Sequence, residues 1–155
     1  DTAPVVRYAP VFDRRIDVDL TIQAMLPRAV ELGVRWNLGS GLPYTRPLGG
    51  YVYYDYSARD RVWRSPSAGD STDLAIVLGP RNGERYPVYH RLDVGVRRTF
   101  RRGWGTLTPY LDVLNVYNRR NVLFYFYQYD TIPATRAGLS MFPLLPTIGL
   151  EMRFQ

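Results

Sequence analysis

Five stretches of this chain alternate apolar and polar residues with a period of two. No other feature constrains the fold as tightly, because an extended strand is the element that sends successive side chains to opposite faces. From Arg15 to Ala24 the even positions are Ile16, Val18, Leu20, Ile22 and Ala24, and the odd ones Arg15, Asp17, Asp19, Thr21 and Gln23. From Val30 to Gly39, Val30, Leu32, Val34, Trp36 and Leu38 oppose Glu31, Gly33, Arg35, Asn37 and Gly39. The third stretch, Arg91 to Phe100, sets Leu92, Val94 and Val96 against Arg91, Asp93, Gly95, Arg97 and Thr99, with Arg98 breaking the apolar row near its end. Thr106 to Val113 sets Leu107, Pro109, Leu111 and Val113 against Thr106, Thr108, Tyr110 and Asp112. Pro109 removes one ladder donor there. In Thr147 to Phe154, Ile148, Leu150, Met152 and Phe154 oppose Thr147, Gly149, Glu151 and Arg153.

Strands are therefore expected near 15–25, 30–39, 91–101, 106–117 and 147–154, close to the roughly 9–11 residues of a tilted membrane strand. Half-buried soluble strands alternate in the same way, so the connections carry more information. Leu26-Pro27-Arg28-Ala29 and Arg102-Gly103-Trp104-Gly105 are tight, whereas 41–90 and 118–146 are long, and they occur in the order short, long, short, long. Membrane barrels of the bacterial outer membrane place short turns on the periplasmic side and long loops outside. With the C-terminus in the periplasm, every connection falls on the side its length predicts. Loops this long are also uncommon inside compact soluble domains. The odd strand count makes the chain enter from outside, so residues 1–155 are expected to be the C-terminal portion of a larger barrel. The expected class is all-β: an antiparallel transmembrane β-barrel segment of about five membrane strands, an open fragment with long extracellular loops.

Composition removes several other classes. No apolar run approaches the roughly 20 residues of a spanning helix. Cysteine is absent, so neither disulfides nor thiolate metal sites are available. All twenty basic residues are Arg, giving a formal charge of +6. They are interspersed with acids and apolar residues and form no run longer than pairs such as Arg101-Arg102 and Arg119-Arg120, which argues against nucleic acid. The one histidine, His90, heads a strand and is expected to be a hydrogen-bonding residue rather than a general base. Asp70, Ser71 and Asp73 do not follow a calcium-loop spacing, and Gly39, Gly41, Gly49 and Gly50 do not lead into a phosphate-binding helix. No catalytic residue, metal or cofactor is expected. Asp1-Thr2-Ala3-Pro4 lacks the basic start and apolar region of a signal peptide.

The odd-numbered polar residues Arg15, Asp17, Asp19, Glu31, Arg35, Arg91, Asp93, Arg97, Asp112, Glu151 and Arg153 are expected to face the lumen. Their mixed signs favour a cross-strand network that balances its own charge. Trp36, Tyr44, Tyr89 and Tyr117 near one set of strand ends, and Phe100, Trp104 and Phe154 near the other, fit two aromatic girdles. In the long loops, Tyr51, Tyr53, Tyr54 and Tyr56, and Tyr125, Tyr127 and Tyr129 beside Phe124 and Phe126, are candidate ligand contacts, with Arg59, Arg61 and Arg64 able to attract anionic groups. Loop-on-loop packing of the same rings is the competing reading. Segments 51–56 and 74–78 could pair as a hairpin, and 122–129 could prolong the fourth strand outward.

The last segment, Thr147-Ile148-Gly149-Leu150-Glu151-Met152-Arg153-Phe154, resembles the β-signal that the barrel-assembly machinery recognises, carried by Thr147, Gly149, Met152 and Phe154. It departs from that pattern in ending on Gln155 rather than on the aromatic. More widely the chain resembles the final strands of TonB-dependent receptors. The similar stretches are 13–18 (Asp-Arg-Arg-Ile-Asp-Val), 36–45 (Trp-Asn-Leu-Gly-Ser-Gly-Leu-Pro-Tyr-Thr), 82–93 (Asn-Gly-Glu-Arg-Tyr-Pro-Val-Tyr-His-Arg-Leu-Asp), 110–118 (Tyr-Leu-Asp-Val-Leu-Asn-Val-Tyr-Asn) and 143–149 (Pro-Leu-Leu-Pro-Thr-Ile-Gly). That resemblance implies a 22-stranded barrel with an N-terminal plug in the cell outer membrane, taking up a scarce nutrient with energy relayed from TonB. The implied partners are outer-membrane lipid, the plug and TonB through a preceding part, the barrel-assembly machinery, and a small-molecule, peptide or glycan substrate. Two alternatives stay open. One is a complete eight-stranded outer-membrane barrel, adhesive or structural, counting the loop hairpin and one outer-loop strand. The other is a soluble carbohydrate-binding β-sandwich, which requires Leu20, Val34, Val94 and Leu150 in a dry core.

Overall fold

The computed structural model of the chain describes residues 7–64, 75–129 and 135–154. Asp1–Pro4, Asp70, Ser71, Asp73, Leu74 and Gln155 lie outside the described residues. Fourteen strands and no helix occur among those described. In order they are β1 (Asp17–Leu26), β2 (Val30–Gly39), β3 (Pro43–Tyr44), β4 (Pro47–Tyr51), β5 (Asp55–Ser57), β6 (Val62–Arg64) and β7 (Ala75–Leu78). There follow β8 (Glu84–Arg85), β9 (Tyr89–Arg98), β10 (Phe100–Arg102), β11 (Gly105–Leu114), β12 (Val122–Gln128), β13 (Thr135–Ser140) and β14 (Leu145–Phe154). The chain divides into two compact units, one of Arg14–Gly41, Pro87–Leu123 and Ser140–Gln155, the other of Asp1–Asp13, Leu42–Tyr86 and Phe124–Leu139.

The first unit is an antiparallel sheet running β1, β2, β9, β11, with the short β10 prolonging β9 alongside β11 and β14 on the far side of β11, so that six strands make five rows. Its five principal strands are ten residues each. Pairing keeps one register throughout, so alternation within each strand becomes a row across all of them. Ile22 faces Val34, Val34 faces Val94, Val94 faces Val113 and Val113 faces Pro146. The next row on that face is Ala24, Leu32, Val96, Leu111 and Ile148. On the opposite face Gln23, Gly33, Gly95, Asp112 and Thr147 line up in the same way. A slip of one residue at any seam would mix the two faces.

Strand positions differ from the sequence expectation mainly at their ends. Arg15 and Ile16 precede β1, although Ile16 is held by Ser40, whose hydroxyl accepts from its N–H at 3.0 Å. The third strand is split into β9 and β10 at Thr99. The register is the same on both sides of the split, with Tyr110 facing Arg97 and Leu107 facing Phe100. Pro109 lies in the stretch of β11 between them and brings no N–H to the ladder; the Thr99 and Thr108 hydroxyls meet there instead, at 3.2 Å. The fourth strand stops at Leu114 rather than Tyr117, because Asn115 takes a left-handed conformation (φ 54°).

Asn115 organises the turn that follows. Only 1% exposed, it donates through Nδ2 to the carbonyls of Arg119 (2.9 Å) and Phe142 (3.0 Å), and its Oδ1 accepts from the Arg119 N–H. Its own N–H reaches Asp93 Oδ1 at 2.9 Å. Asn121 imitates a strand partner of His90, accepting from its N–H and donating to its carbonyl. His90 thus serves as a hydrogen-bonding residue through its backbone.

No aliphatic or aromatic side chain of the five-stranded sheet is buried among the described residues. Leu20 is 50% exposed, Leu150 51% and Ile148 83%. The dry core that the sandwich alternative requires at Leu20 and Leu150 is not seen among the described residues. Among the described residues no closed barrel is found, and β1 and β14 are the outer strands of the sheet.

The second unit holds small two-stranded sheets: β3 with β8, β4 with β7, and β5 with β6. The expected 51–56/74–78 hairpin is displaced, since β4 begins at Pro47 and only Tyr51 of the first segment pairs, with Ala75. The 122–129 segment forms β12, which pairs with β13 in a two-stranded sheet of its own. None of these strands is hydrogen-bonded into the five-stranded sheet, as an eight-stranded barrel would require.

Candidate functional site

Register gathers the acids and bases of the five strands on one face. Arg35 sits between Thr21 and Asp93, Asn37 between Asp19 and Arg91, and Glu31 faces Arg97. Asp112 lies between Gly95 and Thr147, while Glu151 and Arg153 face Thr108 and Thr106. The shape is concave, with Thr21, Gln23, Arg35, Asp93, Tyr110 and Asp112 among the residues lining a hollow of 820 Å³.

The ion pairing differs from the expected cross-strand network. One pair bridges strands, Arg35 to Asp19 at 3.4 Å. Arg91 to Asp93 (2.8 Å) and Arg153 to Glu151 (2.7 Å) run along single strands, and Arg14 reaches Asp17 at 3.1 Å. Most of these groups are substantially exposed, where such pairs contribute roughly 0–1 kcal/mol each. Asp93 is the best anchored, because it also accepts the Asn115 N–H. Glu31, Arg97 and Asp112 have no ion-pair partner among the described residues, leaving a solvated face of mixed sign.

The β-signal segment has a physical role inside the sheet. Gly149 faces Tyr110, and the Tyr110 ring lies directly over the place a Cβ would occupy. Phe154, at the strand end, packs against Trp104 with ring centroids 5.6 Å apart. Thr147 faces Asp112 on the polar side, and Met152 faces Leu107 on the apolar side.

In the second unit the sheet positions of four tyrosines converge. β3 and β8 pair Pro43 with Arg85 and Tyr44 with Glu84, and the Tyr86 N–H donates to the Leu42 carbonyl. This sets Tyr44 on Tyr86 in a stack with centroids 4.5 Å apart. Along β12 the period of two separates Tyr125 and Tyr127 from Phe124 and Phe126, which pack edge to face at 4.7 Å. Tyr125 stacks on Tyr86 at 5.3 Å, and Tyr127 on Tyr129 at 6.5 Å. Arg136, from β13, places its guanidinium 4.3 Å from the centre of the Tyr125 ring, and the nearby Tyr127 and Tyr44 hydroxyls favour its charged form.

Burial, together with the Tyr127 hydroxyl 3.4 Å away, pushes the Tyr44 phenol up to about 12. Burial likewise raises Tyr86 and Tyr129, with Tyr127 adding to both. The result is a neutral, hydroxyl-bearing aromatic wall with one cation at its edge. Such a wall can stack a planar or sugar-like group and pair with an anionic one. Tyr125, Tyr127 and Tyr129 were expected at a ligand site. Tyr86 and Arg136 were missed, and Tyr44 was expected in a girdle.

The other expected cluster does not assemble. Tyr51, Tyr53, Tyr54 and Tyr56 are all exposed and make no ring contact with one another among the described residues. Tyr56 instead packs on Trp63 at 5.3 Å, across the β5–β6 pair. Arg64 is paired with Asp60 at 3.0 Å, while Arg59 and Arg61 are exposed beside it. No group of three or more histidines or acids suited to a metal occurs among the described residues. No family model, curated protein or solved structure matches the chain.

Proposed function

We propose that this chain supplies wall strands, outer loops and the C-terminal assembly segment of an outer-membrane β-barrel of the TonB-dependent receptor type, acting in energised uptake of a scarce nutrient. One observation carries the reading: a five-stranded antiparallel sheet whose register assembles one apolar face and one charged face, with none of its own described apolar side chains buried. In water a contiguous apolar surface of this kind is an aggregation hazard. Against lipid it is the surface that hydrocarbon requires, provided the backbone groups are paired.

The dimensions agree with that environment. Ten residues at ~3.3 Å each give about 33 Å of strand, and a tilt near 40° projects this to roughly 25 Å, the height of the apolar band of such barrels. The charged face then belongs to the wet interior, beside a plug contributed by a preceding segment. The tyrosine wall of Tyr44, Tyr86, Tyr125 and Tyr127 with Arg136 belongs to the outer loops, where it is placed to contact a small-molecule, peptide or glycan substrate. The barrel-assembly machinery reads β14.

Fractionation of cells making the full-length protein tests the assignment. Recovery in the outer-membrane fraction, resistant to alkaline carbonate and released by detergent, is expected. Recovery as a detergent-free soluble periplasmic protein ends the proposal.

A further inference from the structure

On the apolar face of the five-stranded sheet two positions are charged, Arg98 and Arg102, and Phe100 stands between them in the pleat. Register gives the face: Leu26 faces Val30, Val30 faces Arg98, and Phe100 faces Leu107. Alternation through β9 and β10 therefore places Arg98, Phe100 and Arg102 on the side of Val94 and Val96. Both arginines are at the short-turn end of the sheet. The Arg98 guanidinium lies over the Phe100 ring, 4.6 Å from its centre. Arg28 in the first short turn and Arg101 in β10 stand at the same end, and all four arginines are exposed. None of them has a carboxylate partner among the described residues. At this end Trp104 packs on Phe154, each with its ring exposed.

We infer that this rim binds the phosphate of anionic glycerophospholipids in the leaflet at the short-turn end, with Arg98 and Arg102 as the contacting cations and Phe100, Trp104 and Phe154 as the aromatic floor. The inference rests on the barrel reading and adds to it a ligand class and an address. An arginine on a hydrocarbon-facing surface extends its stem along apolar neighbours and seeks a phosphate at the boundary. Its planar fork accepts two phosphate oxygens at once. At the long-loop end the same face carries Val18, Leu38 and His90, which faces Leu38, and no strand arginine lies on it there. Charge asymmetry thus selects one leaflet.

Fluorescence quenching in vesicles tests this with the full-length protein. One variant keeps Trp104 alone (Trp36→Phe and Trp63→Phe), and a second keeps Trp36 alone (Trp63→Phe and Trp104→Phe). Any tryptophan in a preceding segment is replaced in both. Each goes into phosphatidylcholine vesicles containing either brominated phosphatidylglycerol or brominated phosphatidylcholine. Trp104 is expected to be quenched preferentially by the phosphatidylglycerol, whereas Trp36, on the wall, is quenched alike by both. Arg98→Gln with Arg102→Gln should lower the Trp104 preference by roughly five-fold or more, at about one such step per arginine near an anionic surface. The paired Lys substitutions should retain most of it, and Arg102→Gln alone decides if the double variant does not insert. Equal quenching of Trp104 by both lipids, or a preference untouched by removing the arginines, overturns the inference while leaving the barrel standing. Absence of quenching at Trp36 by either lipid overturns the barrel reading as well.

Discussion

Gly149 and Tyr110 form the tightest side-chain fit across a seam of the sheet. A glycine there leaves a strand without a side chain, and the phenol ring of the facing strand covers the exposed backbone. Gly149→Ala places a Cβ inside the Tyr110 ring and is expected to cost about 1–3 kcal/mol of stability, the usual range for overpacking. The measurement is the denaturant midpoint of the folded protein in detergent. Tyr110→Ala removes the obstacle, so the same Gly149→Ala change in that background should cost much less. An undiminished cost in the double variant would place the strain elsewhere. The resemblance to a β-signal drew attention to Gly149, but nothing in the sequence indicated Tyr110 as its partner, because facing residues are fixed by register.

Among the elements, β1 offers a direct comparison of the two faces. Ile22→Arg introduces a charge into the row Ile22, Val34, Val94, Val113, Pro146, whereas Thr21→Arg, one residue away, adds it to the face of Arg35 and Asp93. The first is expected to cost ~2–4 kcal/mol of folding into bilayers, the penalty of an arginine at membrane mid-depth. The second is expected to stay within about 0.5 kcal/mol, as for exposed substitutions in general. Equal costs would deny the faces their different surroundings. The β3–β8 and β12 strands give a second test, through pH. Tyr44 in the folded chain titrates at about 12 instead of 10.0, so folding favours its neutral form. Its contribution to stability is therefore complete below pH 10 and is lost as pH rises through about 12. Tyrosinate absorbance should show late-titrating phenols, Tyr44 together with Tyr86 and Tyr129. Tyr127→Phe should bring Tyr44 down without reaching the ordinary value, since burial, the largest cause, persists.

For the whole molecule, the question is what covers the apolar rows. Residues 1–155 contain no cysteine, so with any cysteine of a preceding segment replaced, single cysteines report without background. Leu20→Cys and Leu111→Cys are expected to resist a water-soluble maleimide in native membranes, and Gln23→Cys and Arg35→Cys to react. Reaction at all four positions would mean that the apolar face is wet, and the membrane assignment would fall. Arg35 belongs to a salt bridge of marginal value, so its replacement should leave the fold intact.

Period two was legible because alternation is a local property: strand geometry assigns each residue a face without reference to any other segment. All five principal strands and the membership of each face follow from it, as do the tight and long connections. Pairing is not local. The break at Thr99 against Pro109, the end of β11 at Asn115 and the meeting of Tyr44 with Tyr127, 83 residues away, depend on which backbones come side by side. Tyr51, Tyr53, Tyr54 and Tyr56 show the same limit, since adjacency in the chain did not bring their rings together and Tyr56 met Trp63 across a strand pair instead. Tyr44, Tyr86 and Arg136, scattered through the loops, became one wall only when ladders of hydrogen bonds aligned β3 with β8 and β12 with β13. The chain's alternation determined what each face is made of, and long-range hydrogen bonding, which no short window of residues encodes, decided which side chains meet on it.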